Sequence, residues 1–135
     1  MKSSLQAGLA ETTTVTVDRE RTIDFMGEKA RVYATPMLVR DIEVACRNLL
    51  LQHLDAGEDS VGTRVELDHL AATLMGMHVT LEVRIAEVKG RAVSFEVKGS
   101  DEVEAVCNGR HGRFIVDVAK TESRLAEKAR KAGIS

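Results

Sequence analysis

The stretch Thr35–Gly57, TPMLVRDIEVACRNLLLQHLDAG, decides the fold. It opens on Thr-Pro, where Thr35 is expected to cap free backbone N–H groups and Pro36 to take the first helical position. It then runs without an interior glycine or proline to Asp55-Ala56-Gly57, where glycine suits a left-handed helix terminus. At ~1.5 Å per residue the expected helix is roughly 30 Å long, the diameter of a small domain. Leu38, Val39, Ile42, Ala45, Cys46, Leu49 and Leu50 recur at steps of three and four, so one broad face must be buried. On the helical wheel Glu43 lies at the edge of that face, between Val39, Cys46 and Leu50 on one side and Arg40 and Arg47 on the other.

Working outward, nearly every other segment reads as strand. Upstream, Glu11–Asp18 is rich in β-branched residues. Arg19–Arg31 is charged, with Ile23, Phe25 and Met26 as scattered anchors, and reads as a loop or short cover. Downstream, Val61–Leu70 alternates, with Val61, Thr63, Val65, Leu67 and His69 expected on one buried face. Met77, Val79, Leu81, Val83 and Ile85 mark the clearest strand, and Val93, Phe95 and Val97 the next. Glu102–Val118 is a last long strand whose Gly109 and Gly112 predict a bulge or a close backbone approach. Short turns between these strands make neighbours antiparallel. The architecture predicted is α+β, an antiparallel sheet covering a long central helix.

The totals agree with one domain over residues 1–135, with 1–10 as a loose lead-in and 120–135 as a charged C-terminal helix. Of the 135 residues 44% are apolar and 30% charged, an ordinary globular balance. A net charge of −2 and a scarcity of aromatics argue against nucleic acid as a partner. The apolar runs are too short for a membrane span, and the N-terminal residues make a poor signal sequence. Cys46 and Cys107 form no close pair, so reduced thiols in a cytoplasmic protein are expected.

The quoted helix with Glu43-Val44-Ala45-Cys46, preceded by Tyr33-Ala34-Thr35 and followed by Ser60-Val61-Gly62-Thr63 and His69-Leu70-Ala71-Ala72, resembles the fluoroacetyl-CoA thioesterase-like family of the hotdog fold. Thr35, Glu43 and His69 keep that family's separations, and the likeness runs from about Thr12 to Val118. The resemblance implies a homodimer, with tetramers also known on this fold, whose acyl-CoA sites lie near the subunit interface and hydrolyse the thioester. It implies Thr35, Glu43 and His69 as catalytic residues, the Gly62 N–H as a contact to the thioester, and Arg113 as a residue that holds coenzyme A. No metal or cofactor is required, coenzyme A being part of the substrate.

The residue types suit that chemistry. Thioester hydrolysis needs an activated water or a carboxylate nucleophile, and donors for the charge that builds on oxygen. Glu43 can serve in either capacity, and His69 can orient it, move a proton or assist the leaving thiolate. Each residue also has a plainer reading: Glu43 as a helix carboxylate paired with Arg47, Thr35 as a cap, His69 as a core histidine, Gly62 as a strand glycine, Arg113 as a solvated strand arginine. The stretch Asp24–Arg31 stands where the fluoroacetyl enzyme has a lid rich in aromatics. Being polar and short, it points to a general short-chain or other acyl-CoA rather than a fluorinated one. The rivals are an acyl-thioester hydratase or dehydratase on the same fold, and a non-catalytic acyl-CoA-binding dimer.

Overall fold

The computed structural model describes residues 1–134, with elements in the order β1 (Ala10–Thr16), β2 (Thr22–Ile23), β3 (Val32–Tyr33), α1 (Thr35–Leu51), β4 (Glu58–His69), β5 (His78–Lys89), β6 (Ala92–Ser100), β7 (Ala105–Asp117) and α2 (Val118–Ala132). Strands β1, β5, β6, β7 and β4 lie side by side in that order, every neighbouring pair antiparallel. Helix α1 presses its apolar stripe into this sheet. Leu38, Ile42, Cys46, Leu49 and Leu50 meet Val79, Leu81, Val83 and Ile85 from β5, Val93 and Phe95 from β6, and Ile115 from β7. Burying a leucine or isoleucine side chain contributes about 1.5–3 kcal/mol, so this helix–sheet seam dominates stability. The opposite face of the sheet carries Glu66, Glu82, Arg84, Glu96 and Lys98 and stays wet.

Both ends of α1 differ from expectation. Its N-cap is Ala34, without a side-chain cap, and Thr35 is already helical, with Pro36 following. The Thr35 hydroxyl is therefore not spent on capping. At the other end α1 stops at Leu51, six residues before Gly57. The chain tightens there, with His53 N–H donating to the Leu50 carbonyl at 2.8 Å, and it turns so that Leu54 is buried. Gly57, with φ of 83°, serves the turn into β4 instead. Seventeen residues make α1 about 25 Å long.

The face assignment along β4 also needs correcting. Gly62 lies opposite Arg113 but Arg64 lies opposite Gly112, so Thr63 is an extra, bulged residue. The bulge reverses the alternation. Ser60 and Gly62 face inward before it, and Val65, Leu67 and His69 after it, in step with the buried His111 and Cys107 opposite. Val61, expected beside His69, points the other way and is 43% exposed. The two β7 glycines meet expectation: Gly112 sits across from the bulge, and Gly109 faces the β4 backbone at close range.

Residues 1–9 are held rather than loose. Lys2 N–H donates to the His53 carbonyl at 2.9 Å, Gly8 and Leu9 exchange backbone bonds with Ile85, and Leu5 and Leu9 pack against the core. Helix α2, capped by the Asp117 side chain, buries nothing, as its charged sequence predicts. No helix among the described residues is long and apolar enough to cross a membrane.

A Cβ at Gly109 would lie 2.1 Å from the Glu66 carbonyl oxygen, a backbone atom that cannot swing aside. Gly109→Ala is expected to destabilise the protein by at least about 2 kcal/mol. Urea denaturation checks this, and an unchanged midpoint would contradict the close β4–β7 approach.

Candidate active site

Two polar groups sit on the inner face of the sheet, against opposite halves of α1. The first joins Thr35 at the start of α1 to His69 at the end of β4: Thr35 Oγ1 is 2.8 Å from His69 Nδ1. The Tyr33 ring stands edge-on to the imidazole, with centroids 6.4 Å apart. His69 Nε2 is buried and has no hydrogen-bond partner among the described residues, an arrangement that asks for an outside ligand. Burial favours the neutral imidazole and lowers the His69 pKa, a backbone contact at Ala71 partly opposing it.

Tyr33 is itself fixed from behind. Its hydroxyl donates to Asp41, a buried carboxylate on α1 that also takes Arg21 Nε at 2.8 Å and Nη2 at 3.1 Å. Burial first and then Asp41 push the Tyr33 phenol up, so it stays protonated. This bidentate pair pins the β2–β3 cover to the helix. Between that cover, Thr35, His69 and Leu70–Ala72 opens a cleft of about 530 Å³. A second depression, of about 460 Å³, lies on the outer face of the sheet among Glu66, Glu82, Arg84 and Arg110 and contains none of the predicted site residues.

The second group forms around Arg113 on β7. This guanidinium is 5% exposed, and all three of its nitrogens have partners. Nε donates to Ser60 Oγ at 2.7 Å, Nη2 to the Ser60 carbonyl at 2.9 Å, and Nη1 to His111 Nε2 at 3.1 Å and Glu43 Oε2 at 3.3 Å. His111 donates from Nδ1 to the Arg64 carbonyl at 2.8 Å, which leaves Nε2 as the acceptor. Burial lowers the His111 pKa, the hydrogen bond to the Arg64 carbonyl partly opposes it, and the smaller effects of Arg113 and Glu43 work in opposite directions. Glu43, with its side chain 43% exposed, reaches over Gly62, where even a methyl group would lie 2.7 Å from its Oε2. Gly62 thus leaves the room the carboxylate occupies.

These placements revise several expectations. Glu43 does not pair with Arg47, which instead grips Asp59 at 2.7 and 2.9 Å. Arg113 is neither solvated nor an open basic group, since it is turned inward to hold Glu43. The protomer unites Thr35 with His69, and Glu43 with Gly62 and Arg113, but it keeps the two sets apart: Thr35 and Glu43 are eight residues, or about 12 Å, apart along α1. Burial pushes the Cys46 thiol up to about 12 and the Cys107 thiol to about 11, so neither is a nucleophile at neutral pH. Ser60, His111, Asp41, Arg21 and Tyr33 were not foreseen. For His111 the signal was available, since period-two alternation puts Cys107, His111, Arg113 and Ile115 on one face of β7.

Comparison with known proteins gives a consistent result. Residues 17–119 match the model of a family described as fluoroacetyl-CoA-specific thioesterase. A fluoroacetyl-CoA thioesterase from Streptantibioticus cattleyicolor is 33% identical over 101 residues, 75% of this chain and 73% of that protein. A Thermus thermophilus thioesterase superfamily member superposes with a TM-score of 0.86 at 30% identity, covering 94% of this chain and 95% of the other. The solved fluoroacetyl-CoA thioesterase gives 0.86 at 27% identity, covering 93% and 98%. A hot-dog-like protein from Thermanaerovibrio acidaminovorans, 24% identical, shares the fold with a TM-score of 0.83, over 90% of this chain and 91% of its own.

With the half-buried His69 and the buried His111 both favouring the neutral form, the unfolded chain binds more protons near pH 6 and stability falls there. Their contribution is present above the ordinary histidine value of about 6.5 and is lost as the pH drops below it. Ring resonances of His69 and His111 followed by NMR are expected to titrate below 6.5, with the melting temperature declining over the same range. Titration at or above 6.5 would contradict the burial argument.

Proposed function

The chain belongs to the fluoroacetyl-CoA-specific thioesterase family and is an acyl-CoA thioester hydrolase, and we propose that two copies combine to build each of its active sites. The observation that carries this is the separation, within one protomer, of the Thr35–His69 pair from Glu43. Strand β4 is a twelve-residue edge strand with Val61 and Val65 each 43% exposed, the kind of edge that invites a second strand. Let two β4 strands pair antiparallel about a two-fold axis at Glu66. With Thr63 bulged out, Val65 then meets Leu67 of the second copy, Arg64 meets Asp68, and Gly62 meets His69. Paired residues in such a ladder lie about 5 Å apart. The register matches Val65 with Leu67 and Arg64 with Asp68, and it brings the two Glu66 side chains together on the axis, with Arg64 beside each to offset their charge. It also sets His69 of one copy beside Glu43 of the other, on one face of the joined sheet.

In the mechanism we assign, Glu43 is the general base. It is half-exposed, so water reaches it, and Arg113 holds one of its oxygens. Glu43 takes a proton from water as the water oxygen bonds to the thioester carbon, and the carbonyl electron pair moves onto oxygen. The Gly62 N–H on the edge strand stabilises that oxyanion. When the intermediate collapses, the C–S bond breaks with its electrons going to sulfur, and Glu43 returns the proton to the departing coenzyme A thiolate. Neutral His69, held through Nδ1 by Thr35, offers a hydrogen bond from Nε2 to the charge on sulfur without itself losing the proton. The chain's own groups supply this chemistry, with coenzyme A entering as part of the substrate. Arg113 acts as the anchor of Glu43 in place of a direct grip on coenzyme A. We assign a general short-chain or other acyl group rather than a fluorinated one, and, with both cysteines free and buried, a cytoplasmic setting.

Complementation tests the shared site. Glu43→Ala and His69→Ala are each expected to lower thiol release from acyl-CoA by at least about 10²-fold as pure homodimers. Unfolded together and refolded, about half the dimers are mixed and each carries one intact site, so about a quarter of wild-type activity is expected to return. Thiol release that stays at the level of the separate variants, in a mixture shown to contain mixed dimers, would contradict sites built from two chains.

A further inference from the structure

Resting on the hydrolase reading above, we propose that the substrate is a coenzyme A ester of an uncharged, apolar acyl group clearly larger than acetyl, of the branched-chain or arylacetyl class. The cleft that ends on Thr35 and His69 carries the argument. Apart from those two residues its walls are Ile23, Phe25, Val32, Tyr33, Pro36 and Leu70, with alanines between them, and no lysine, arginine, aspartate or glutamate lines it. An acyl group with a terminal carboxylate would have to leave water for a surface with no cation to receive it, so dicarboxylic acyl groups are excluded. Size points the same way. An acetyl group has three heavy atoms and, at about 30 Å³ for each water-sized centre, fills on the order of 90 Å³. The cleft is an open groove of about 530 Å³, within the size range of sites that take whole small molecules. Even with the thioester sulfur and the end of the pantetheine arm inside, acetyl would leave most of that apolar wall facing water.

The rim repeats the signal. Phe25, 87% exposed, and Leu70, 54% exposed, both line the cleft. Each leaves much of an apolar side chain in water within the protomer, and a bulky acyl group lying against them would take both out of it. The chemistry is placed to match, since Thr35 and His69, whose Nε2 is buried without a partner among the described residues, line the same cleft.

The test is a comparison of kcat/KM, by thiol release, for acetyl-, isovaleryl-, phenylacetyl- and succinyl-CoA with the full-length dimer. Isovaleryl- or phenylacetyl-CoA is expected to exceed acetyl-CoA by at least about tenfold, the discrimination an apolar pocket gives for added methylenes. Succinyl-CoA is expected to fall below acetyl-CoA. Phe25→Ala, a surface change that leaves the core intact, is expected to shrink the ratio of phenylacetyl to acetyl turnover at least about threefold. Hydrolysis in which acetyl- or succinyl-CoA is the best substrate overturns the apolar class and leaves the hydrolase reading standing. So does a ratio that Phe25→Ala does not move. Absence of thiol release from every ester overturns the hydrolase reading, and this proposal with it.

Discussion

The site depends on one buried cation. Moving a guanidinium out of water costs several kcal/mol unless every donor finds an acceptor. The fold meets that demand for Arg113 from three directions: Ser60 on β4, His111 on its own strand and Glu43 on α1. The pair ties the helix to the two outermost strands on that side of the sheet. It also explains three local features that look unrelated. Thr63 bulges so that Gly62 can lie against Arg113 and face the helix. Gly62 has no side chain because the carboxylate fills that space. His111 uses Nδ1 on a carbonyl so that Nε2 can accept.

The other half of the chemistry obeys a different constraint. Thr35 and His69 sit where apolar walls favour a neutral ring, and burial rather than a neighbouring charge sets the imidazole's preference. The nearest ion pair, Arg21 with Asp41, acts through Tyr33, which it holds edge-on to the ring. One pole of the site is thus charged and partly open to water, and the other neutral and apolar. A thioester being hydrolysed presents the same two ends, a carbon that water attacks and an apolar acyl tail. Joining the poles across a two-fold axis needs only the edge strand that β4 already exposes.

Much of this was legible in the sequence, and the misses share a cause. The stripe of α1 and the alternation of β5 and β6 were readable because each reports on a face that one element buries by itself. The separations of Thr35, Glu43 and His69 carry the resemblance to the family, and within one protomer the structure joins Thr35 with His69 and holds Glu43 elsewhere, against Arg113. What failed was whatever depended on a partner distant in sequence. For Thr35 the sequence offers both a catalytic role and a cap, and the cap fails because it considers only its own helix, whereas the hydroxyl meets His69 thirty-four residues away. Val61 was placed beside His69 because alternation cannot register a bulge that the opposite strand imposes. Asp41 carries no signal of its own in the sequence, because its partners Arg21 and Tyr33 lie outside α1. Arg113 is the instructive case: its strand phase already placed it with Ile115 inside, but an arginine is so rarely buried that its type outweighed its position.

The most direct measurement is the turnover of Gly62→Ala set against its stability. The added methyl would sit 2.7 Å from Glu43 Oε2, the far end of a flexible side chain, so the fold can absorb it by moving the carboxylate. The account predicts a protein that melts within a few degrees of wild type but hydrolyses acyl-CoA about 10²-fold more slowly, the loss that a displacement of about 1 Å in a reacting group brings. Wild-type turnover in a folded Gly62→Ala protein would contradict the claim that Glu43, held over Gly62 by Arg113, is the carboxylate that performs the reaction.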